Sequence, residues 1–106
     1  MYKRQRLFGG GKDDILSGGG GKDKLIGGFG EDILTGGNGK DTFYLSANTG
    51  KDTITDYQSK DKLKLTGGLT GNDLSINQAG DNVKIKYGDD LMAIVEDALV
   101  SDLTFI

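Results

Sequence analysis

A nine-residue period runs through the middle of the chain and limits what it can fold into. It reads Gly18-Gly19-Gly20-Gly21-Lys22-Asp23-Lys24-Leu25-Ile26, then Gly27-Gly28-Phe29-Gly30-Glu31-Asp32-Ile33-Leu34-Thr35, then Gly36-Gly37-Asn38-Gly39-Lys40-Asp41-Thr42-Phe43-Tyr44. Gly recurs at places one, two and four, Asp at place six, and a large apolar residue at place eight. Upstream, Gly9 to Ser17 keeps Asp14 and Leu16 but has Lys12 at place four. Downstream, Leu45 and Ser46 intervene before Ala47 to Thr55 resumes with Gly50, Asp52 and Ile54, and Asp56 to Lys64 keeps Asp61 and Leu63. A fixed period of this kind means stacked units, each too small to bury its own apolar side chain.

Each column has a physical reason. Places seven to nine form a short strand whose eighth residue points inward: Leu16, Leu25, Leu34, Phe43, Ile54 and Leu63. The glycine-rich places then turn the chain, since glycine enters positive φ freely and lets backbone carbonyls converge. Two nonapeptides complete one coil of a two-sided roll, and successive coils stack at about 4.8 Å. The place-six aspartates therefore fall into two ladders, with Asp14, Asp32 and Asp52 on one side and Asp23, Asp41 and Asp61 on the other.

Composition sharpens the consequence. Only 35% of the 106 residues are hydrophobic and 19 are Gly, so apolar burial alone offsets little chain entropy. Cys and His are both absent, which removes disulfides and the common ligands of zinc, copper and iron. Carboxylates and backbone carbonyls remain, and these are hard oxygen ligands suited to Ca²⁺. Carboxylates about 5 Å apart repel by about 3 kcal/mol at an effective dielectric of about 20. Such ladders should hold the metal-free chain unfolded until a divalent cation reverses the sign of each term, so that binding energy becomes folding energy.

The repeat resembles that of the RTX (repeats-in-toxin) family, with its signature G-G-x-G-x-D-x-U-x, over residues 9 to 64. The resemblance implies an all-β fold, a right-handed parallel β-roll, holding about two to four Ca²⁺ ions. It also implies the ligands. One loop supplies carbonyls from places two and four, the loop one coil away supplies carbonyls from places one and three, and both supply their aspartate. Carried onto this chain, the best site lies between Gly18, Gly19, Gly20, Gly21, Asp23 and Gly36, Gly37, Asn38, Gly39, Asp41. On the other side Gly27, Gly28, Phe29, Gly30 and Asp32 pair with Gly9, Gly11 and Asp14 below and with Asn48, Gly50 and Asp52 above. A further ion is expected between the Gly36–Asp41 loop and Asp56–Asp61, with Asp56 as an additional carboxylate; Lys12 weakens the first site.

Outside the repeats the chain changes character. Residues 1–8 carry Lys3, Arg4 and Arg6 and are expected to be a frayed tail. Residues 65–106 contain alternating runs at Leu74–Gln78 and Val83–Tyr87 and an apolar run at Leu91–Val95, separated by turn residues. They are expected to form an antiparallel β segment that caps the roll, with the last residues packing back on it or, by resemblance, serving as a secretion signal. A net charge of −3 argues against nucleic acid, and no apolar run is long enough to span a membrane. Catalysis is not expected, because no nucleophile–base pair can be built without His or Cys. The expected function is a monomeric, extracellular calcium-binding module. It would pass a type I secretion machinery unfolded and fold outside, where it would stabilise a larger protein. The alternative is a metal-independent spacer of a surface or matrix protein, and a weaker option is an adhesin for carbohydrate or ice.

Overall fold

Every second strand of the repeat region joins the same sheet, as a two-nonapeptide coil requires. The computed structural model describes residues 4–46, 50–58 and 60–106. Its strands are β1 (Arg4–Phe8), β2 (Ile15–Ser17), β3 (Lys22–Ile26), β4 (Asp32–Thr35), β5 (Thr42–Leu45), β6 (Asp52–Ile54), β7 (Lys62–Leu65), β8 (Ser75–Ala79), β9 (Asn82–Tyr87) and β10 (Asp90–Val95). One sheet has the order β1-β3-β5-β7 and is parallel throughout. The other begins with the parallel strands β2-β4-β6 and continues through β10, β9 and β8. The fold is a parallel β-roll with an antiparallel β segment at its C-terminal end.

Register follows the repeat. Leu16 pairs with Leu34 and Leu34 with Ile54 in one sheet, and Leu25 pairs with Phe43 and Phe43 with Leu63 in the other. Leu25, Leu34, Phe43, Ile54 and Leu63 are fully buried between the sheets, while Leu16 at the first coil is partly covered. Fully burying such a side chain is worth about 1.5–3 kcal/mol, and only one per nonapeptide is available. The core is therefore thin, and truncating it is costly: Leu34→Ala is expected to lower stability in calcium by about 2–5 kcal/mol, read from urea midpoints.

Leu45 and Ser46 lengthen one coil, so partners that are 18 residues apart before them are 20 apart after them. The insertion keeps the alternation of β5, so Leu45 also points inward, is fully buried and pairs with Leu65. It adds a core position outside the nine-residue register.

The expected frayed N-terminus is corrected by the structure. Residues 4–8 form β1, which pairs with β3 as Gln5 with Asp23 and Leu7 with Leu25. The segment is the end of one more nonapeptide, with Gln at place six and Leu at place eight. Strand pairing and the partial burial of Leu7 against the core hold it.

Both sheets are closed at the C-terminal end. β10 lies parallel to β6, pairing Ala93 with Asp52 and Val95 with Ile54, and the β8–β9 hairpin covers its far side. The other sheet is closed by the tail. Thr104 O accepts from Leu63 N at 2.8 Å, and Ile106 N donates to Leu63 O at 2.9 Å. Tyr57, buried against Phe43, donates from its hydroxyl to the Asp61 carbonyl and accepts from Thr104 N. The Gln78 amide ties the same tail to the hairpin, donating to Ala98 O and accepting from Val100 N. The last roll strand of each sheet thus has a neighbour, β10 beside β6 and the tail bridge beside Leu63 of β7.

Candidate calcium sites

Five aspartates are buried in a chain with few apolar residues: Asp23, Asp32, Asp41, Asp52 and Asp61. Burial of an ionised carboxylate is expensive unless its oxygens are hydrogen-bonded or bound to a metal. In Asp32, Asp41 and Asp61 one oxygen is served by the coil below. Asp14 N donates to Asp32 Oδ1 at 2.8 Å, Asp23 N to Asp41 Oδ1 at 3.0 Å, and Asp41 N to Asp61 Oδ1 at 2.9 Å. The second oxygen is different. Oδ2 of Asp14, Asp32 and Asp41 and Oδ1 of Asp52 are buried without any hydrogen-bond partner.

The place-one glycines lie beside these oxygens. A Cβ on Gly27 or Gly36 would collide with Oδ2 of Asp32 or Asp41, and one on Gly9 would lie 2.8 Å from Asp14 Oδ2. The unsatisfied carboxylate oxygen thus packs against a residue that can carry no side chain. Backbone carbonyls also pack closely between successive coils. The Gly19 and Gly21 carbonyls lie against Gly37 and Gly39 of the coil above, and the Gly36 carbonyl lies 2.8 Å from where a Gly18 Cβ would be. The other side repeats this, with the Gly10 carbonyl against Gly28, the Gly27 carbonyl against Gly9, and the Gly30 carbonyl against Gly50. Carbonyl and carboxylate oxygens gathered between stacked turns form a donor set that suits Ca²⁺.

Positive φ is what aims those carbonyls. Gly19, Gly28 and Gly37 at place two have φ of 77–81°, and Gly21, Gly30, Gly39 and Gly50 at place four have φ of 95–107°. Gly19 and Gly37 separate conformation from contact. A Cβ on Gly37 would strike the Gly19 carbonyl, whereas one on Gly19 meets nothing within 4 Å. Gly19→Ala is expected to cost about 1–2 kcal/mol, the backbone strain alone. Gly37→Ala should add the clash and raise the calcium midpoint for folding at least tenfold more, read by circular dichroism.

The first loop departs from this pattern. Lys12 at place four is not among the positive-φ residues, so its backbone turns differently from Gly21 or Gly30. The loop nevertheless stacks under the next one: Phe29 N donates to Gly10 O at 2.9 Å and Glu31 N to Asp13 Oδ1 at 2.8 Å. Of the place-three residues, Gly11, Gly20, Phe29 and Asn38 are exposed at the turns, and Asn48 lies outside the described residues.

The last expected site is not assembled. Asp61 uses both oxygens on backbone donors, Oδ1 on Asp41 N and Oδ2 on Gln58 N at 2.9 Å. Asp56, expected as an additional ligand, clamps the third loop instead, accepting from Gly36 N at 2.9 Å and Gly37 N at 2.7 Å. Without glycines at places one, two and four, the Asp56–Asp61 turn closes on its own aspartate. Sequence reasoning missed Tyr57 and Asp13; the bulky ring of Tyr57 at place two was the available signal.

The electrostatics agree with the geometry. Burial pushes Asp41 and Asp52 up to about 7, helped at Asp41 by Asp61 and Asp23 and at Asp52 by Asp32. Burial likewise raises Asp32, with Asp14 and Asp13 adding to it, and Asp61, with Asp56 adding to it. These groups hold protons more tightly folded than unfolded, where Asp titrates at about 3.9. Metal-free stability therefore falls as pH rises from about 4 to about 7. In EGTA the β-signal is expected to grow as pH is lowered through that window. Because the ion needs the deprotonated ligands, the calcium midpoint should rise at least tenfold between pH 7.5 and 5.5.

Among the described residues no group of three or more acidic side chains gathers to hold a metal, so any site here is made chiefly of backbone oxygens. Comparison with known proteins bears on the same segment. The model of the RTX calcium-binding nonapeptide repeat matches residues 8–43 in four copies. Residues 8–43 are similar to RTX calcium-binding repeats. The crystal structure of the extracellular lipase LipA from Serratia marcescens superposes on the chain with a TM-score of 0.65 at 23% identity. The superposition covers 95% of this chain and 21% of the lipase, so the likeness is one of fold and the chain spans about a fifth of that protein's length. No curated protein sequence matches the chain. RTX repeats bind calcium, and the stacked turns are where the carboxylate and carbonyl oxygens of this chain meet.

Proposed function

We propose that the chain is a calcium-triggered folding module. The observation that carries this reading is the set of buried carboxylate oxygens with no hydrogen-bond partner, those of Asp14, Asp32, Asp41 and Asp52, each packed beside a place-one glycine. Asp23 and Asp41, with carbonyls of Gly19, Gly21 and Gly36, would hold one ion. Asp14 and Asp32, with carbonyls of Gly10 and Gly27, would hold a second. Asp32 and Asp52, with the Gly30 carbonyl, would hold a third. A bound Ca²⁺ neutralises carboxylates that otherwise repel and supplies the partner that the second oxygens of Asp14, Asp32, Asp41 and Asp52 lack.

A module of this kind stays extended at cytosolic calcium, which suits export as an unfolded chain by a type I machinery. It folds where calcium approaches millimolar, the range of weak extracellular sites. There it would stabilise a larger secreted protein, the roll being the non-catalytic part. The buried carboxylates weigh against the metal-independent spacer, which would gain nothing from them. Among the described residues no helix is long and apolar enough to cross a membrane. Calorimetric titration of the chelated chain tests the reading. It is expected to show two to three ions bound per chain, with heat and β-signal appearing together; binding of no ion would overturn it.

A further inference from the structure

The two turn columns of the roll share one motif but present opposite surfaces. At one edge, sheet strands end in Ser17, Thr35 and Thr55 and resume with Lys24, Thr42 and Lys62, and a Thr35–Thr55 hydroxyl pair at 2.7 Å lines it. At the other edge the equivalent places of the first coils are Phe8, Ile15, Ile26 and Ile33, with Tyr44 and Thr53 beyond them and Phe29 in the turn between. Phe8 is 62% exposed, Ile15 76%, Phe29 64% and Ile33 41%. Among the described residues, half of the large exposed hydrophobic ones thus gather around the turns Gly9–Asp14 and Gly27–Asp32. This is a protruding ridge and not a groove, with Phe29 at its tip.

Cations stand a fixed distance behind the ridge. Phe8 and Ile26 end their strands at the edge, and place seven of the same sheet lies two residues back, about 7 Å at 3.3 Å per residue. Place seven carries exposed Lys24 and Lys62, and the backbone of Arg6 is in register with Lys24. No acidic residue occupies an outward strand position of that sheet. An apolar rim with cations about 7 Å behind it matches the interface of a bilayer, where apolar groups sit about 5–10 Å into the headgroup boundary and lysines reach back to phosphate. A flat protein partner would not need that offset.

We propose that this edge docks on the surface of an anionic lipid bilayer, with Phe8, Ile15, Phe29 and Ile33 inserting and the lysines behind them meeting lipid phosphate. The proposal rests on the calcium reading, because the ridge exists only when the coils are stacked. In the two turns one cation, Lys12, stands against Asp13, Asp14, Glu31 and Asp32, so the edge accepts an anionic surface only once calcium offsets these charges.

Cosedimentation of the full chain with vesicles tests this, with circular dichroism recorded on the same samples. In 1 mM calcium, partition onto phosphatidylcholine vesicles containing phosphatidylglycerol should exceed that onto phosphatidylcholine alone at least tenfold and should vanish in EGTA. The double variant Phe8→Ser, Ile15→Ser touches no candidate ligand. It should keep the calcium-induced spectrum and lose at least tenfold in partition. A folded chain that stays in solution with anionic vesicles, or a double variant that sediments like the parent, overturns the proposal. So does equally tight capture of both proteins by a sulfated polysaccharide with no vesicle binding. A chain whose spectrum ignores calcium would overturn the calcium reading itself, a separate result.

Discussion

In EGTA at neutral pH the chain is expected to expand from a radius of gyration of 12.6 Å toward about 33 Å, the value for an unfolded chain of this length. Adding calcium should restore the compact form cooperatively with a midpoint of about 0.1–1 mM. The size of the effect follows from what the fold lacks. One fully buried apolar residue per nonapeptide is a thin core, and the carboxylate ladders oppose stacking. An ion at a hundred times its dissociation constant adds about 2.7 kcal/mol, so two contribute about 5 kcal/mol, the low end of a whole domain's stability. Small-angle scattering with and without calcium reads the change directly. A chain of unchanged size in EGTA would mean that the coils stack on their own.

Asp41→Asn is expected to change stability in opposite directions with and without calcium. Asn keeps an oxygen for the Asp23 amide that Asp41 now accepts at 3.0 Å, but it removes a buried charge that sits between Asp23 and Asp61. Without metal, relief of that charge should make the fold easier to form and raise the residual β-signal. With metal, loss of a carboxylate ligand should raise the calcium midpoint at least tenfold. Asp41→Ala separates the two roles. It also strands the buried Asp23 amide, which costs about 1–3 kcal/mol, so it should weaken the fold in both media. If the aspartates were only turn residues, Asn would act in one direction in both.

How much of this could be seen in the sequence depended on where the period holds. Within Gly18 to Tyr44 the spacing alone placed Leu25, Leu34 and Phe43 in the core and brought Asp23 and Asp41 to one side, because each column repeats with the same backbone. Where the period breaks, side-chain direction no longer follows from counting. Leu45 sits in an insertion of two residues, and only the continued alternation of β5 shows that it turns inward. Leu7 lies nine residues before Leu16, so the signal for β1 was present, but Gln5 at place six and the missing glycines hid it. Asp56 and Asp61 have the right spacing for ligands, yet their oxygens go to backbone amides of Gly36, Gly37, Asp41 and Gln58. Spacing fixes where a carboxylate is, and the neighbouring glycines decide whether anything but an amide can reach it. The rung that Thr104 to Ile106 adds beside Leu63 has no periodic signal at all, since a single bridge needs no pattern.

Hydrogen exchange of three amides tests the central claim most directly: those of Asp14, Asp23 and Asp41, each donating to the aspartate one coil above. At pH 7 in EGTA they are expected to exchange at the rate of an unstructured chain, and millimolar calcium should slow all three together by several orders of magnitude. Protection of these amides in EGTA, equal to that in calcium, would contradict the claim that the ion holds the ladders together.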